Sequence, residues 1–543
     1  MEMHFATVWE SIADVIPDHA AVVQGARRVS WREYDERAAR LAAAMVAAGL
    51  GPDAKIGLYL YNCPEYCEAN YAGMKLRGVP VNVNYRYLDD ELRYLLDNAD
   101  AEAVVYHTSL ADRIARVRAQ LPKLKLLVEV DDGPGHVDGA VAYEDLLAAH
   151  EPMARIPRGE HDVHIVYTGG TTGMPKGTMY EIGPFTANYL AIAPPLLGLP
   201  AITDPADAAP LAAQLVAEGR GLVALPACPL MHATGLWVGL LIPHLLGSTV
   251  VLAESRSLDV AELLETVERE GVTELVIVGD SVARPVLHGL EDARAAGRAY
   301  ALSRLTLVVS TGAMFSKEVK QGLFEHLPHL FVIDILGATE GTMAMQFFTK
   351  DLLSDTASFN LGAGVRVFAD DGRPVEPGSG VIGMVATTGS IPVGYYKDPE
   401  KSARTFREID GVRYSFPGDY ATVEADGSIT LLGRGSNVIN TGGEKVFPEE
   451  VEEALKTHPA VFDALVFGVP DERFGTRISA VVSPGRSTAA PSAEELISHV
   501  KTRLAGFKAP RDVHVVETVP RAPNGKADYP SAKALAAGEA APG

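Results

Sequence analysis

The chain is poor in several residue types, and each shortage excludes a class of protein. Only three of its 543 residues are cysteines. No second pair of Cys or His residues completes a metal-binding motif around Cys63 and Cys67, so we expect buried free thiols in a reducing cytoplasm. The opening stretch MEMHFATVWESIADVIPDHA lacks the basic block that precedes the apolar run of a secretory signal. We therefore expect no such signal.

Positive charge is also scarce. Lys plus Arg number 48 against 70 for Asp plus Glu, a net charge of −22. Nucleic acids and anionic membrane surfaces bind best to proteins with basic patches, so we expect neither as a partner. The uncharged stretch 233–253 is long enough to span a bilayer. It contains Pro243, His244 and Gly247 and ends in the strand-like TVVLA, which predicts a buried helix, a turn and a strand instead.

The length predicts two or more domains. Helical patterns such as 30–48 alternate with short apolar runs, which predicts an α/β fold with mainly parallel sheets. Strands are predicted near 55–61, 79–83, 103–106, 126–129, 248–252, 275–278 and 305–310. After about Gly362, Asp-Gly and Pro-Gly turns predict a β-rich subdomain. We place the main boundary at 433, with a large domain over 1–433 and a small α+β domain over 434–543.

The segment from Tyr167 to Gly177, YTGGTTGMPKG, is the most informative part of the chain. Its glycines allow successive backbone N–H groups to point into one concave space, and its threonines and Lys176 add donors and a charge. Pro175 precedes the lysine and Gly177 follows it, so this is not the P-loop of kinases and GTPases. A solvent-exposed turn is the alternative. We predict that the segment handles nucleotide phosphates.

Five further segments follow in a definite order. They are STGAM (310–314), GATEG (337–341), Gly418-Asp419 within YSFPGDY, GRGSNVINTGGEKVFPEEVE from Gly433, and PRAPNGKAD around Lys526. GATEG follows an apolar run and places Thr339 and Glu340 at a predicted strand end, where open α/β sheets bind ligands. Each residue alone has a common structural role, in a turn, a cap or a solvated surface. Together the segments resemble the adenylate-forming superfamily of acyl-CoA synthetases, luciferases and peptide-synthetase adenylation domains.

The resemblance implies a two-step reaction with ATP, Mg²⁺ and CoA. A carboxylate attacks the α-phosphate, pyrophosphate leaves, and a thiol then attacks the acyl-adenylate. It implies that Glu340 holds magnesium, that Lys526 contacts the carboxylate and the α-phosphate, and that His232 separates the acyl pocket from the nucleotide. The implied nucleotide-binding set is Thr168, Gly169, Gly170, Thr171, Thr172, Gly173, Lys176, Ser310, Gly312, Ala313, Gly337, Ala338, Thr339, Glu340, Asp419, Arg434 and Lys526.

The resemblance also implies a mobile C-terminal domain that turns about a hinge at Ser436. That rotation withdraws Lys526 and brings the segment Gly442, Gly443, Glu444 and Lys445 to line a thiol tunnel. Besides Ser436, where many relatives carry Asp or Lys, the sequence departs from the common pattern in three places. Gly169 replaces a serine, Leu336 replaces an aromatic residue, and Pro417 replaces a threonine. None of these changes removes a charge that the chemistry needs.

The substrate is less well specified. Amino-acid-activating relatives carry an acid near 230–237, and this chain has none there, so an α-amino acid is not expected. Trp237, Leu240 and Met343 are candidates for an acyl pocket or for ordinary core. Asp280 is a candidate contact for a polar substrate group. Several segments look most like bacterial fatty-acyl- and sterol-side-chain-type CoA synthetases, which favours an apolar carboxylic acid as the small-molecule partner.

Two other classes of function remain open. One is an adenylate-forming enzyme with another acceptor, either a carrier-protein thiol or an aryl amine that attacks an adenylated small anion. The other is a nucleotide-binding sensor without catalysis, against which the complete set of charged motif residues argues. A homodimer is possible, as in many look-alikes.

Overall fold

The computed structural model describes residues 1–170, 173–353, 358–362, 364–441, 444–471, 475–485, 490–522 and 525–538. It divides into two compact units. The first contains Met1–Ser354 and Thr388–Ser415, and the second contains Asp355–Thr387 and Phe416–Gly543. The boundary expected at 433 and the hinge expected at Ser436 fall inside the second unit and stay predictions.

The helices include long amphipathic ones and short connecting ones. Helix α2 begins as the sequence predicts, with the Ser30 hydroxyl accepting a hydrogen bond from the backbone N–H of Glu33. The α-helices are α1 (Phe5–Val15), α2 (Trp31–Ala47), α3 (Pro64–Lys75), α4 (Asp89–Asn98), α5 (Ala111–Val117), α6 (Tyr143–Ala148), α7 (Ile182–Leu196), α8 (Ala208–Ala217), α9 (Ile242–Leu245), α10 (Val260–Glu270), α11 (Asp280–Ala295), α12 (Lys317–His326), α13 (Pro399–Thr405), α14 (Pro448–Lys456), α15 (Ala493–Lys501) and α16 (Tyr529–Ala536).

The strands include all of the apolar runs that the sequence predicts as strands. They are β1 (Ala20–Gln24), β2 (Arg27–Ser30), β3 (Lys55–Tyr59), β4 (Val79–Asn82), β5 (Ala101–His107), β6 (Leu126–Val130), β7 (Val141–Ala142), β8 (Val163–Gly170), β9 (Gly173–Glu181), β10 (Val223–Pro226), β11 (Thr249–Leu252), β12 (Glu274–Ile277), β13 (Leu307–Thr311), β14 (Phe331–Ala338), β15 (Gly341–Phe348), β16 (Ser358–Asn360), β17 (Val365–Phe368), β18 (Gly383–Thr387), β19 (Gly394–Tyr395), β20 (Phe406–Ile409), β21 (Val412–Ser415), β22 (Asp419–Val423), β23 (Ser428–Arg434), β24 (Ile439–Thr441), β25 (Glu444–Val446), β26 (Val461–Asp471), β27 (Gly475–Pro484) and β28 (Asp512–Val515).

The first unit contains two sheets with parallel centres. The larger has the order β15-β14-β13-β12-β10-β11-β1-β2, with antiparallel pairs only at its two edges, β14 with β15 and β1 with β2. The smaller has the order β4-β3-β5-β6-β7 and is parallel throughout. Their central strands are short, apolar and almost wholly buried, as strands covered on both faces must be. The predicted α/β architecture is confirmed.

A third sheet of the first unit, in the order β19-β9-β8, carries the glycine- and threonine-rich segment. The sequence predicts a less regular stretch after that segment, and here the structure differs. Strand β9 is regular because it pairs with β8 on one side and with β19 on the other. The described residues of the segment therefore belong to the two strands of a β-hairpin.

The second unit contains the predicted β-rich subdomain and an α+β region. Strands β16, β23, β22 and β18 are neighbours in that order, and β17 pairs with β18. Asp426-Gly427 forms the turn that joins β22 to β23, as the sequence predicts. Strands β26, β27 and β28 form a further sheet, against which Val451 and Leu455 of α14 and Leu496 of α15 are buried.

The stretch 233–253 is a buried helix, a turn and strand β11, as predicted, but eight of its helical residues, Thr234–Leu241, adopt the rarer π-helical form. π-Helical turns are often found at functional sites. In the described part of the chain no helix has the length and apolar character needed to cross a bilayer. Cys63, Cys67 and Cys228 are buried free thiols, which confirms that prediction.

Candidate active site

The hairpin β8–β9 places Thr168 directly opposite Lys176. Its base is anchored by Asn82 at the end of β4, whose amide group exchanges two hydrogen bonds of 2.8 Å with the backbone N–H and carbonyl of Tyr167. Gly170 and Gly173 face each other at the tip. Thr171 and Thr172, which the sequence assigns to phosphate binding, lie outside the described residues.

A second hairpin tip meets the first. Thr339 and Glu340 form the two-residue connection between β14 and β15, where the sequence predicts a strand end. The hydroxyl of Thr339 lies 3.5 Å from that of Thr168 and donates to Glu340 Oε2 at 3.0 Å. The hydroxyl of Tyr180 donates to the carbonyl of Thr339 at 3.0 Å. The structure thus brings together Thr168, Thr339 and Glu340, which are far apart in the sequence.

Tyr395 links Glu340 to Lys176. Its hydroxyl donates to Glu340 Oε1 at 2.6 Å, and the ammonium of Lys176 lies 5.5 Å from the centre of its ring. The backbone of Tyr395 pairs with Thr178 of β9, so the strand that carries Lys176 also positions the tyrosine. Sequence reasoning missed Tyr395. Its Gly-Tyr-Tyr context carries no charged motif, and its role depends on a partner that only the fold reveals.

The electrostatics around Lys176 suit a polyanion. Burial and, after it, the nearby ammonium of Lys401 lower the pKa of Lys176 to about 8, while Glu340 and Asp398 act in the opposite direction. A cation that has lost part of its hydration and lies close to a like charge is strongly stabilised when an anion binds beside it. The chemistry that this arrangement supports is the binding of a phosphate chain.

The segment after β13 provides a backbone surface. The hydroxyl of Ser310 is buried and accepts a hydrogen bond from the N–H of Gly279 at 3.1 Å, so this side chain supports the loop. Gly312 has φ = +90°, which favours glycine, and a Cβ there would lie 3.5 Å from Thr234 Oγ1. Gly337 and Ala338 end the neighbouring strand β14. These members of the implied nucleotide-binding set thus lie at two adjacent strand ends.

His232 lies two residues before the start of the π-helix at Thr234, and its carbonyl accepts the N–H of Leu236 at 2.9 Å. An aromatic cluster lies within the same unit. Trp237 donates its indole N–H to His164 Nε2 at 2.8 Å, and its ring lies 5.1 Å from that of Phe185 and 5.6 Å from that of Tyr180. Leu240 and Met343, the other candidates for an acyl pocket, are almost wholly buried.

In the second unit, Asp419 and Arg434 lie side by side. They are cross-strand partners at the ends of β22 and β23, with Arg434 Nε 3.4 Å from Asp419 Oδ1. Asp419 is buried although it is charged. Gly433 has φ = +124°, and a Cβ there would collide with the carboxylate of Glu449. The two residues that the resemblance assigns to the ribose and phosphate are thus adjacent.

Lys526 also belongs to the second unit. It is exposed, and its carbonyl accepts the N–H of Ala522 at 2.8 Å in a tight turn. The turn is held by Arg521, which binds Asp463 with hydrogen bonds of 2.6 and 2.7 Å. Arg521 is a second residue that the sequence did not single out.

The expected thiol-tunnel segment is described only in part. Gly442 and Gly443 lie outside the described residues. Glu444 and Lys445 belong to β25, which pairs with β24. Ser436 belongs to a single 3₁₀ turn, Gly435–Asn437.

Comparisons with known proteins identify the family of this chain. Residues 9–396 match the family model described as AMP-binding enzyme, and residues 450–526 match the AMP-binding enzyme C-terminal domain. The chain is 40% identical to a 3-oxocholest-4-en-26-oate–CoA ligase of Rhodococcus rhodochrous, covering 98% of this chain and 96% of the relative. It is also 40% identical, with the same coverage, to a medium/long-chain-fatty-acid–CoA/3-oxocholest-4-en-26-oate–CoA ligase of Mycolicibacterium smegmatis.

Among solved structures, an anthranilate CoA ligase, AuaEII, in complex with anthranoyl-AMP superimposes with a TM-score of 0.83 over 99% of this chain and 98% of that one, at 22% identity. That likeness supports the fold. The family models and the full-length relatives together cover both units. The chain therefore belongs to the AMP-binding enzyme family, and within that adenylate-forming superfamily it is an AMP-forming acyl-CoA ligase whose substrates are ATP, CoA and a carboxylic acid.

Proposed function

We propose that this ligase activates an apolar carboxylic acid, either fatty-acid-like or built on bulky rings, and that Lys176, Glu340 and Tyr395 handle the phosphates of ATP in the first step. The observation that carries the proposal is the meeting of three chain segments, around Thr168, Glu340 and Tyr395, at one place in the first unit. A carboxylate, hydroxyls and a partly desolvated ammonium there provide both charges that a magnesium–nucleotide complex needs.

The residues present fit a magnesium ion. Glu340 is a carboxylate whose two oxygens are oriented by the hydroxyls of Thr339 and Tyr395. In the described part of the chain no group of three or more His, Cys, Asp or Glu forms a ligand cage. A single carboxylate suits Mg²⁺, which retains water and takes the rest of its ligands from phosphates. When bound, the ion would neutralise charge on the phosphate oxygens.

The aromatic cluster supports an apolar acid. Trp237, Phe185, Tyr180 and Tyr189 lie together with ring centres 4.7–5.6 Å apart, beside the loop that carries Thr339. The segment from Leu230 to Trp237 contains no acid that could pair with an ammonium group. The relatives that share 40% identity are named for a sterol-derived acid and for medium- and long-chain fatty acids.

The remaining site assignments belong to the same proposal. Asp419 and Arg434 hold the ribose and the α-phosphate, Lys526 offsets the repulsion between the carboxylate and ATP, and His232 separates acid from nucleotide. Ser436 is the hinge, and the segment Gly442 to Lys445 guides the thiol. The cytoplasm as its location and a homodimer as its assembly are part of the proposal as well, the former supported by three free thiols.

A panel of acids tests the substrate class. AMP release is measured with CoA present for medium- and long-chain fatty acids, sterol side-chain acids, aryl acids and amino acids, and products are identified by mass spectrometry. We expect turnover with apolar acids and none with amino acids. Preference for an amino acid, or formation of an amide or a carrier-bound thioester but no CoA thioester, would contradict the proposal.

A further inference from the structure

Lys401 stands one turn into helix α13, next to the candidate phosphate site. Asp398 begins this helix by accepting the backbone N–H of Lys401 at 2.9 Å. The hydroxyl of Ser402 accepts the N–H of Tyr395 at 2.8 Å and donates to the carbonyl of Asp398 at 2.6 Å. The helix is therefore tied to the tyrosine that contacts Glu340.

The ring of Tyr395 lies close to the ammonium groups of two lysines, Lys176 and Lys401. The ammonium of Lys176 lies 5.5 Å from the centre of its ring, and that of Lys401 lies 5.8 Å from the same point. Each position is within the range of a cation–π interaction. The hydroxyl of the same ring donates to Glu340. Two cations and one carboxylate thus surround a single fixed side chain.

Two neighbouring ammonium groups repel each other unless an anion lies between them. Here the repulsion is expressed in the lowered pKa of Lys176, to which Lys401 contributes after burial. The acids Glu340 and Asp398 oppose it more weakly. Two ammonium groups held close together cost free energy, and a multiply charged phosphate chain that binds between them offsets this cost.

A neighbouring lysine of the same segment is paired differently. Lys397 reaches Asp100 at 2.8 Å, and the hydroxyl of Tyr396 donates to the same carboxylate at 2.9 Å. Its ammonium is therefore paired within the protein, with a carboxylate that also binds Lys123 at 2.9 Å. Lys397 has the same side chain as Lys401, a similar position in sequence and a structural role, which makes it a matched control.

We propose that Lys401 is a second phosphate-binding cation, which with Lys176 holds the β- and γ-phosphates of ATP and the pyrophosphate released in the first step. This inference rests on the nucleotide site of the proposed function. In that step a bond forms between a carboxylate oxygen and the α-phosphorus while the bond from that phosphorus to the bridging oxygen breaks. The electron pair leaves on pyrophosphate, where the Lys401 ammonium stabilises the added charge. The ligand chemistry is therefore that of a diphosphate or triphosphate, and not that of a monophosphate.

Calorimetric titration of the full chain with ATP, pyrophosphate and AMP, with Mg²⁺ at constant ionic strength, tests this assignment. Lys401→Gln should weaken ATP and pyrophosphate binding on the order of tenfold, as expected for loss of one charge-assisted hydrogen bond, and leave AMP binding within about twofold. Lys401→Arg should restore most of the affinity, and Lys397→Gln should leave all three ligands unaffected.

The outcomes separate this inference from the function on which it rests. If the native chain binds ATP but Lys401→Gln binds ATP and pyrophosphate equally well, the role of Lys401 is refuted and the ligase assignment stands. Equal weakening for AMP would also refute it, because the effect would then not concern the terminal phosphates. If the native chain binds no ATP, both fail. Thermal unfolding of each variant identifies any loss of binding that comes from misfolding.

Discussion

Arg521 binds Asp463 through two parallel hydrogen bonds, from Nε at 2.6 Å and from Nη2 at 2.7 Å. Its remaining amino group donates to the carbonyl of Gly525 at 3.2 Å. The guanidinium lowers the pKa of the Asp463 carboxyl, which burial by itself would raise. Arg521 therefore joins strand β26 to the turn that presents Lys526.

Loss of the hydrogen bonds that Arg521 makes to Asp463 and Gly525 should shift Lys526 from its position. Arg521→Lys keeps the charge but cannot reproduce the bidentate geometry. We expect adenylation, measured as acid-dependent ATP–pyrophosphate exchange, to slow roughly tenfold or more, because small errors in position are costly in catalysis. Thioester formation from supplied acyl-adenylate should change much less.

The matched control is Arg477→Lys. Arg477 pairs with Asp512 at 3.0 Å in the same unit, away from the turn of Lys526. Arg477→Lys should leave the ratio between the rates of the two half-reactions unaltered. If both substitutions slowed both half-reactions equally, Arg521 would be a stability residue with no role in positioning.

Lys526 itself should matter for the first half-reaction only. We expect Lys526→Ala to slow adenylation by roughly a hundredfold or more, by analogy with the loss of one transition-state donor. Because the second half-reaction no longer brings two anions together, thioester formation from acyl-adenylate should be largely preserved. Rapid-quench measurement of each half-reaction tests this. Equal damage to both would contradict a role confined to adenylation.

Glu340 should set the magnesium requirement. Glu340→Gln retains the shape of the side chain and its contact with the Tyr395 hydroxyl but removes the charge. We expect adenylation to need a markedly higher Mg²⁺ concentration for half-maximal rate. A titration curve that coincides with that of the native enzyme would remove Glu340 from the metal site.

Buried histidines should make the fold sensitive to acid. Burial lowers the pKa of His164 to about 4, and its Nε2 accepts the indole N–H of Trp237, which requires the neutral ring. Burial also lowers the pKa of His4 to about 3 and the pKa of His244 to about 4. Below the unfolded pKa of about 6.5 the unfolded chain takes up protons that the folded chain does not. The free energy of unfolding should therefore fall as the pH drops from about 6.5 towards 4.

His164→Gln isolates one of these contributions. The amide oxygen can still accept from Trp237 but cannot be protonated. We expect the pH slope of the unfolding free energy to decrease by up to about 1.4 kcal/mol per pH unit in that window. An unchanged slope for His164→Gln would show that this ring becomes protonated in the folded state.

Local pattern predicted much of the fold. The helix from Ser30, the parallel strands and the turn at Asp426-Gly427 follow from cap, period and turn chemistry that neighbouring residues determine. The position of Thr339 and Glu340 at a strand end was predictable for the same reason. Strand β9 was not predicted, because its regularity comes from pairing with β19, which is remote in the sequence.

The sequence alone identified a candidate site residue only where that residue lies within a short recognisable motif. Tyr395 and Lys401 acquire their roles from Glu340 and Lys176, which lie far away in the chain. Asp280 illustrates the opposite case. It was a candidate contact for a polar substrate group, yet its carboxylate accepts from the N–H of Ser316 at 2.9 Å and from Arg284 at 2.7 Å. Burial and partners decide such roles, and neither is visible in the local sequence.

The transfer of carboxylate oxygen tests the central claim most directly. If an acid labelled with ¹⁸O in its carboxylate is converted with ATP and CoA, attack on the α-phosphorus predicts that the AMP produced carries one labelled oxygen. The pyrophosphate should carry none. Labelled inorganic phosphate together with ADP, or AMP without label, would show that no acyl-adenylate forms and would contradict the account.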